Sequence, residues 1–278
     1  MRRTVELRSA EASPSTRSVD ARVAHPARVY DYWLGGKDNF ESDRIAAAET
    51  IAAYPAILSS ARANRAFLVR AVSYLTSVFG IRQFLDVGSG LPAAPNTHEV
   101  AQSIAPESSI VYVDNDPMVL SHARALRAST PEGVIAYLDA DLRDTATILT
   151  QAARVLDFAR PVAVMLLAIL EYIPDLDEAR RIVAGLRAAI PPGSFLVISH
   201  TASDIHPRKT AEMIKRMNGH LAEGNLVGRP LDAITPFFDG LDLMEPGVVK
   251  VNQWHPRPET DPAVTISMWG GVARKPGS

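Results

Sequence analysis

Apolar and polar positions follow two different rhythms along this chain. From about residue 44 to 79, apolar positions recur at helical spacing in alanine-rich sequence, with a break near Pro55. After Gly80 the rhythm shortens. Apolar runs rich in β-formers at 83–87, 109–113, 134–139, 162–169 and 194–199 alternate with helical stretches at 96–104, 117–128, 144–157 and 176–189. Two more β runs, at 248–253 and 263–272, close the chain. Such alternation predicts an α/β fold, a mostly parallel sheet with helices on both faces. Residues 1–20 are polar, rich in Ser and Arg and without periodicity, and are expected to be a disordered tail.

Helix-start signals agree with this division. Asn96 with Glu99 three residues later has the form of a capping box. Asp116 before Pro117 is an N-cap with proline at the first helical position. Pro191-Pro192-Gly193 stops one helix and opens a strand. In open sheets of this kind, ligands sit beyond the carboxyl ends of the strands.

Composition narrows the function classes. With 278 residues, 47% of them hydrophobic, the chain can bury one large core with additions. A net charge of -2 gives no basic excess, so nucleic acid is not an expected partner. The absence of cysteine excludes disulfides and thiolate zinc sites, and fits a cytoplasmic location. The longest apolar run, "PVAVMLLAIL", is half a membrane span, so no membrane partner is expected. No two histidines have metal-ligand spacing, and no metal is expected. His98 and His122 fall in helical stretches and read as structural. Oligomeric state is not legible.

The candidate chemistry starts at "FLDVGSGLPAAPNTHEV", residues 84–100. A glycine turn after a strand lets backbone approach a ligand closely. Gly88, Gly90 and Ala93 formally fit a dinucleotide fingerprint. Three acids follow three strands: Asp86, Asp114 and Asp141. Asp114 lies where Rossmann-like sheets hold a ribose diol, which a carboxylate can accept from twice. Asp86 stands two residues before the turn and would repel a pyrophosphate. No Lys or Arg in the turn offsets that charge, and Pro92 and Pro95 delay the helix that would bind phosphate. A cationic adenosine ligand fits better than an anionic one.

These residues resemble the class I S-adenosylmethionine-dependent methyltransferases. "LDVGSG", "VYVDNDPMVL", "DADLRD" and "MLLAILEYIPD" look like four of their motifs, in order. "ARVYDYWLGGKDNFESDR", "NRAFLVRAV", "QFLDVGSGLP", "NTHEVAQ" and the ending "GGVARK" narrow the resemblance to one bacterial family of S-adenosyl methyltransferases whose acceptors are largely unidentified. The resemblance spans residues 27–275. One departure is Glu171, where related sequences often carry histidine.

The resemblance implies a Rossmann-like sheet of about seven strands with a reversed strand near the C-terminus. It implies S-adenosyl-L-methionine as cofactor, held by Asp86, Gly88, Ser89, Gly90, Asp114, Asn115, Asp141, Leu142 and Ala168. Asp139 is a rival to Asp141 at the adenine edge. The transferred methyl would face its acceptor near 168–171, and a small-molecule acceptor is expected. Glu171 and His200, at the ends of two strands, are the candidate proton acceptors; a structural hydrogen bond is the alternative for each. Tyr30, Tyr32, Trp33, Lys37, Asn39, Phe40 and Arg44 form either a lid over the cleft or a helix pair broken at Gly35-Gly36 and packed on the sheet. The expected organisation is a tail at 1–20, a helical cap at 21–79 and a methyltransferase domain at 80–278, with 200–239 covering the cleft. Two other functions fit less well: a non-enzymatic sensor of S-adenosylmethionine and a nicotinamide-dependent oxidoreductase.

Overall fold

A computed structural model describes residues 3–7, 19–119, 121, 132–223, 225–256, 258 and 264–277. Its centre is a nine-stranded sheet. The strands are β1 (Arg3–Leu7), β2 (Gln83–Val87), β3 (Ser109–Asp114), β4 (Val134–Asp139), β5 (Ala163–Leu167), β6 (Phe195–Thr201), β7 (Asp242–Leu243), β8 (Val249–Lys250) and β9 (Met268–Arg274). The spatial order is β1-β4-β3-β2-β5-β6-β9-β7, with β8 also paired to β9. From β1 to β6 every pairing is parallel, and β9 runs antiparallel to β6. The order reverses at β2, where β3 lies on one side and β5 on the other. That switch point is where open α/β sheets place ligands.

Both faces of the central strands are buried, so their sequences read as continuous apolar runs. Leu85, Val111, Ala136, Val164 and Leu196 face one core, which α5 (Thr145–Ala152) and α6 (Leu176–Ala189) cover. Phe84, Ile110, Ile135, Met165 and Val197 face the other, under α3 (Ile57–Val78) and α4 (Thr97–Ile104). A third cluster joins α1 (Pro26–Trp33), α2 (Glu41–Ala53) and the start of α3 to α7 (Pro207–Asn218). A short helix, α8 (Leu231–Ile234), precedes β7.

Five central strands lie where the apolar runs predict them, and the mostly parallel, Rossmann-like arrangement is as expected. Three differences have physical causes. Arg3–Leu7, inside the stretch expected to lack structure, forms a parallel strand on β4, whose outer edge would otherwise leave its backbone groups unpaired. β7 is a two-residue strand with no apolar run to announce it, and with β1 it raises the expected seven strands to nine. The run at 248–253 pairs only through Val249 and Lys250 before a 3₁₀ turn, Val251–Gln253, in which Val251 packs on α3. Most of the predicted helix 117–128, with His122, lies outside the described residues. No helix among the described residues is long and apolar enough to cross a membrane.

Candidate active site

The turn after β2 is built on its glycines. Gly88 has φ +74° and Gly90 φ +66°, conformations that side chains rarely tolerate. A Cβ on Gly88 would lie 2.4 Å from Ile169, in the loop after β5, whereas a Cβ on Gly90 would meet nothing within 4 Å. Gly88 N and Ser89 N both donate to Val113 O, at 2.8 and 3.2 Å. Asp114, the last residue of β3, accepts from Gly90 N at 2.7 Å and from Asp116 N at 3.0 Å. Asp116 caps the next turn through Met118 N at 2.8 Å, and its other oxygen lies 2.8 Å from His25 Nδ1.

Beyond this turn lies a cavity of about 330 Å³, within the ~300–1,000 Å³ typical of ligand pockets. All nine residues expected to hold the cofactor line it: Asp86, Gly88, Ser89, Gly90, Asp114, Asn115, Asp141, Leu142 and Ala168. Asp139, the rival to Asp141, does not. Burial pushes the Asp86 carboxyl up to about 6, although the Thr97 hydroxyl, donating at 2.6 Å, and the charge of Arg65 pull it down. Burial also raises Asp114, against hydrogen bonds from Asp116 and Gly90.

Ala168, the first residue after β5, has a left-handed conformation, φ 54°, unusual for a residue with a side chain. Its N–H is shared between Ser199 O and Ser199 Oγ, both at 3.1 Å. The Ser199 hydroxyl donates to Asn64 Oδ1 at 2.7 Å, Asn64 Nδ2 donates to Tyr30 Oη at 3.1 Å, and the Tyr30 hydroxyl donates to Ala61 O at 3.1 Å. This chain ties the carboxyl ends of β5 and β6 to α3 and α1. Asn64 and Tyr30 both line the cavity.

The two candidate proton acceptors part company. Glu171 lines the cavity and is buried. Its Oε2 accepts from Thr201 N at 2.8 Å. Burial pushes its carboxyl up to about 7, against the hydrogen bonds from Thr201 and the charge of Arg229. His200 is fully buried and does not line the cavity. Alternation along β6 turns Ser199 toward α3 and His200 to the opposite face. There its Nδ1 lies 2.9 Å from Thr201 O, and its Nε2 lies 2.8 Å from Arg229 Nη1. A carbonyl only accepts and a guanidinium only donates, so the ring is neutral with its proton on Nδ1. Burial accordingly holds it down to about 3. His200 has no lone pair left for a substrate, and its expected place in the cleft is corrected.

The stretch read as either a lid or a helix pair follows the helix pair, broken at Gly35-Gly36 and packed against α3 and α7. Of its seven residues only Tyr30 reaches the cavity. Trp33 is buried among the N-terminal helices with Nε1 on Thr50 Oγ1. Lys37 and Arg44 are exposed. Asn39 Nδ2 donates to Asp31 Oδ2 at 2.8 Å, and Phe40 lies under the Arg28 guanidinium at 5.2 Å. Tyr32 packs at the edge of the same helical cluster. A Cβ on Gly36 would strike the Asp31 carboxylate, so Gly35-Gly36 serves the turn between α1 and α2.

Sequence reasoning missed two contributors to the cavity and named the segment of a third without its residues. His25 and its neighbours up to Ala27, at the start of α1, form one wall. Asn64 and Arg65, inside α3, form another. Arg65 Nη2 donates to the Ala93 and Pro95 carbonyls and holds the proline loop after the glycine turn. It supplies the cation that the turn itself lacks. The third, made of Leu221, Ala222, Glu223 and Asn225, falls in the stretch 200–239 expected over the cleft, with Leu221 bridged to Ala24. "NRAFLVRAV" carried Asn64 and Arg65 in plain view, but α3 also holds Arg62, Arg70 and several Ser and Thr, so nothing in the sequence singled those two out for the cavity.

Comparison with known proteins agrees with this architecture. Residues 12–276 match a family model described as S-adenosyl methyltransferase. A DUF574 family protein from Streptomyces avermitilis MA-4680 is 42% identical, with TM-score 0.90, covering 93% of this chain and 100% of that one. A protein from Thermobifida fusca YX, described as a candidate methyltransferase, is 40% identical, with TM-score 0.84, covering 92% of this chain and 96% of that one. An O-methyltransferase family protein from Burkholderia thailandensis shares the fold at 18% identity, with TM-score 0.51 over 85% of this chain and 60% of that one. No curated protein matches. The chain belongs to the S-adenosyl methyltransferase family and is an S-adenosylmethionine-dependent methyltransferase.

Proposed function

We propose that the cavity holds S-adenosylmethionine with its ribose on Asp114 and its methionine part along the Gly88–Gly90 turn. A small-molecule acceptor then sits beside Ala168 and Glu171. One observation carries this reading: Asp86, Asp114 and Arg65 converge on a single cavity. Asp86 suits the ammonium, Asp114 the ribose diol and Arg65 the carboxylate. The open space beside Gly90 suits close approach by the ligand. Asn115, Asp141 and Leu142, on the far side of Asp114, suit the adenine. Residues 24–27, Tyr30, Leu221, Ala222, Glu223 and Asn225 support a covering role for parts of 21–79 and 200–239. The lack of cysteine supports a cytoplasmic location.

Bound S-adenosylmethionine supplies a methyl group on a positively charged sulfur. The chain's own part is chiefly placement. Residues of the turn and of the β5 loop would hold donor and acceptor together, which lowers the entropic part of the barrier. Glu171, ionisable near neutrality, takes the proton that the acceptor loses. Calorimetry with S-adenosylmethionine, S-adenosylhomocysteine and a nicotinamide dinucleotide tests the assignment. The first two should bind and the third should not. Binding of the dinucleotide alone would overturn it.

A further inference from the structure

The acceptor end of the cavity has a distinct chemistry. Glu171, Tyr172 and Ile173 from the loop after β5, Tyr30 from α1, and Glu223 and Asn225 line it together. Two carboxylates stand here, Glu171 and Glu223, with Asn225 Nδ2 on Glu223 Oε2 at 3.1 Å. The Glu171 backbone carbonyl accepts from Val227 N at 2.8 Å, which binds this segment to the β5 loop. Burial keeps both phenols protonated: Tyr30 is pushed up to about 12 and Tyr172 well above its usual value. The charge of Glu171 raises both further. The Tyr172 hydroxyl has no hydrogen-bond partner among the described residues.

Among the described residues no side chain forms an ion pair with Glu171, although the charge of Arg229 acts on it. Arg229 lies outside the cavity wall and donates to Leu170 O, Ile173 O and Pro174 O and to His200. Arg65 donates to the proline loop. A buried carboxylate beside two tyrosine rings, without an ion-pair partner, is a setting that stabilises an organic cation. It disfavours a carboxylate or phosphate acceptor by like charge.

We propose that the methyl acceptor is a primary or secondary amine that enters as its ammonium ion, bound by Glu171 against Tyr30 and Tyr172. This rests on the cofactor assignment above. The step balances. The ammonium gives one proton to the Glu171 carboxylate. The freed nitrogen lone pair forms the N–CH₃ bond as the CH₃–S bond breaks, and the sulfur keeps that electron pair. The product is the methylated ammonium, and the Glu171 proton leaves to solvent.

The test uses the full chain saturated with S-adenosylhomocysteine. At about pH 8 an aliphatic amine is still protonated and Glu171 is largely ionised. The probes are benzylamine and benzyl alcohol, which match in shape and differ in charge. Benzylamine should bind at least about tenfold more tightly than the alcohol, a gap of about 1.4 kcal/mol. Glu171→Gln should abolish that gap and leave S-adenosylhomocysteine affinity unchanged. Equal affinities in the wild type, or a preference that survives in Glu171→Gln, would overturn the amine assignment. If that variant does not fold, the wild-type comparison decides alone. Failure of S-adenosylhomocysteine itself to bind would refute the cofactor reading instead.

Discussion

Asp114 Oδ2 accepts a hydrogen bond from Gly90 N at 2.7 Å, so the last residue of one strand closes the turn that follows its neighbour. The same carboxylate lines the cavity and keeps acceptor capacity for a diol. Asp114→Ala removes a charge-assisted pair of hydrogen bonds worth roughly 1.5–3 kcal/mol each. S-adenosylmethionine and S-adenosylhomocysteine should both lose about tenfold or more in affinity. They should weaken together because the ribose is common to them. Calorimetry on wild type and variant reads this directly, and loss for only one of the two would take Asp114 off the ribose.

The two turn glycines should fail differently. Gly88→Ala drives a Cβ into Ile169 as well as imposing a strained φ. It should lower stability by about 2 kcal/mol or more, from strain plus overpacking. Gly90→Ala meets open space, so its cost to folding is about 1–2 kcal/mol from φ alone. Its larger effect should be on cofactor binding, since the new methyl enters ligand space. Denaturant melts and S-adenosylhomocysteine titrations on the pair separate the effects. Equal ligand loss per unit of stability in the two variants would contradict this division.

Glu171 should weigh on folding as the pH rises. Its folded pKa, about 7, stands above the ordinary glutamate value of 4.5, so the unfolded chain gives up its proton first. Between those two values each rise in pH favours the unfolded state, and above about 7 the penalty is complete. Glu171→Gln, which cannot ionise, should therefore gain stability relative to wild type from about pH 5 to 8. The difference is the quantity to measure. His200, held down to about 3, produces an opposite slope in both proteins and cancels. A constant gap across that range would place Glu171 in water.

His200 should prove structural. His200→Ala would leave Arg229 Nη1 short of an acceptor and open a void behind β6. A stability loss of about 1–3 kcal/mol is expected. Cofactor affinity should be unchanged, because the ring does not touch the cavity. Melting and titration of this variant check both halves, and unaltered stability with abolished turnover would restore the catalytic reading.

The legible parts of this molecule were those set by neighbours in sequence. Strands buried on both faces show as apolar runs, and Asp86, Asp114 and Asp141 show as acids at their ends. Capping at Asn96 and Asp116 is likewise local, with Asn96 N on Glu99 Oε2 and Met118 N on Asp116 Oδ1. What stayed hidden depends on distant partners. Arg65 reaches the proline loop after the glycine turn from α3, a helix that precedes β2. The facing of His200 follows from the register of β6 against β9, which pairs it with Trp269. The aromatic stretch after Tyr30 looks like a ligand clamp. It is organised instead by two buried acids, with Asp38 N and Asn39 on Asp31 and His25 N and Phe40 N on Asp43.

The hydrogen-bond chain from Ala168 to Ala61 is a one-way circuit. Its first member is a backbone amide, which can only give a proton, and its last is a backbone carbonyl, which can only receive one. The three side chains between have no choice of orientation: the hydroxyls of Ser199 and Tyr30 and the amide of Asn64 must all point the same way. Asn64→Asp keeps shape and volume but has no proton to hand to Tyr30. A change of one atom type would thus set two buried neighbours at odds over direction, with nothing lost in packing.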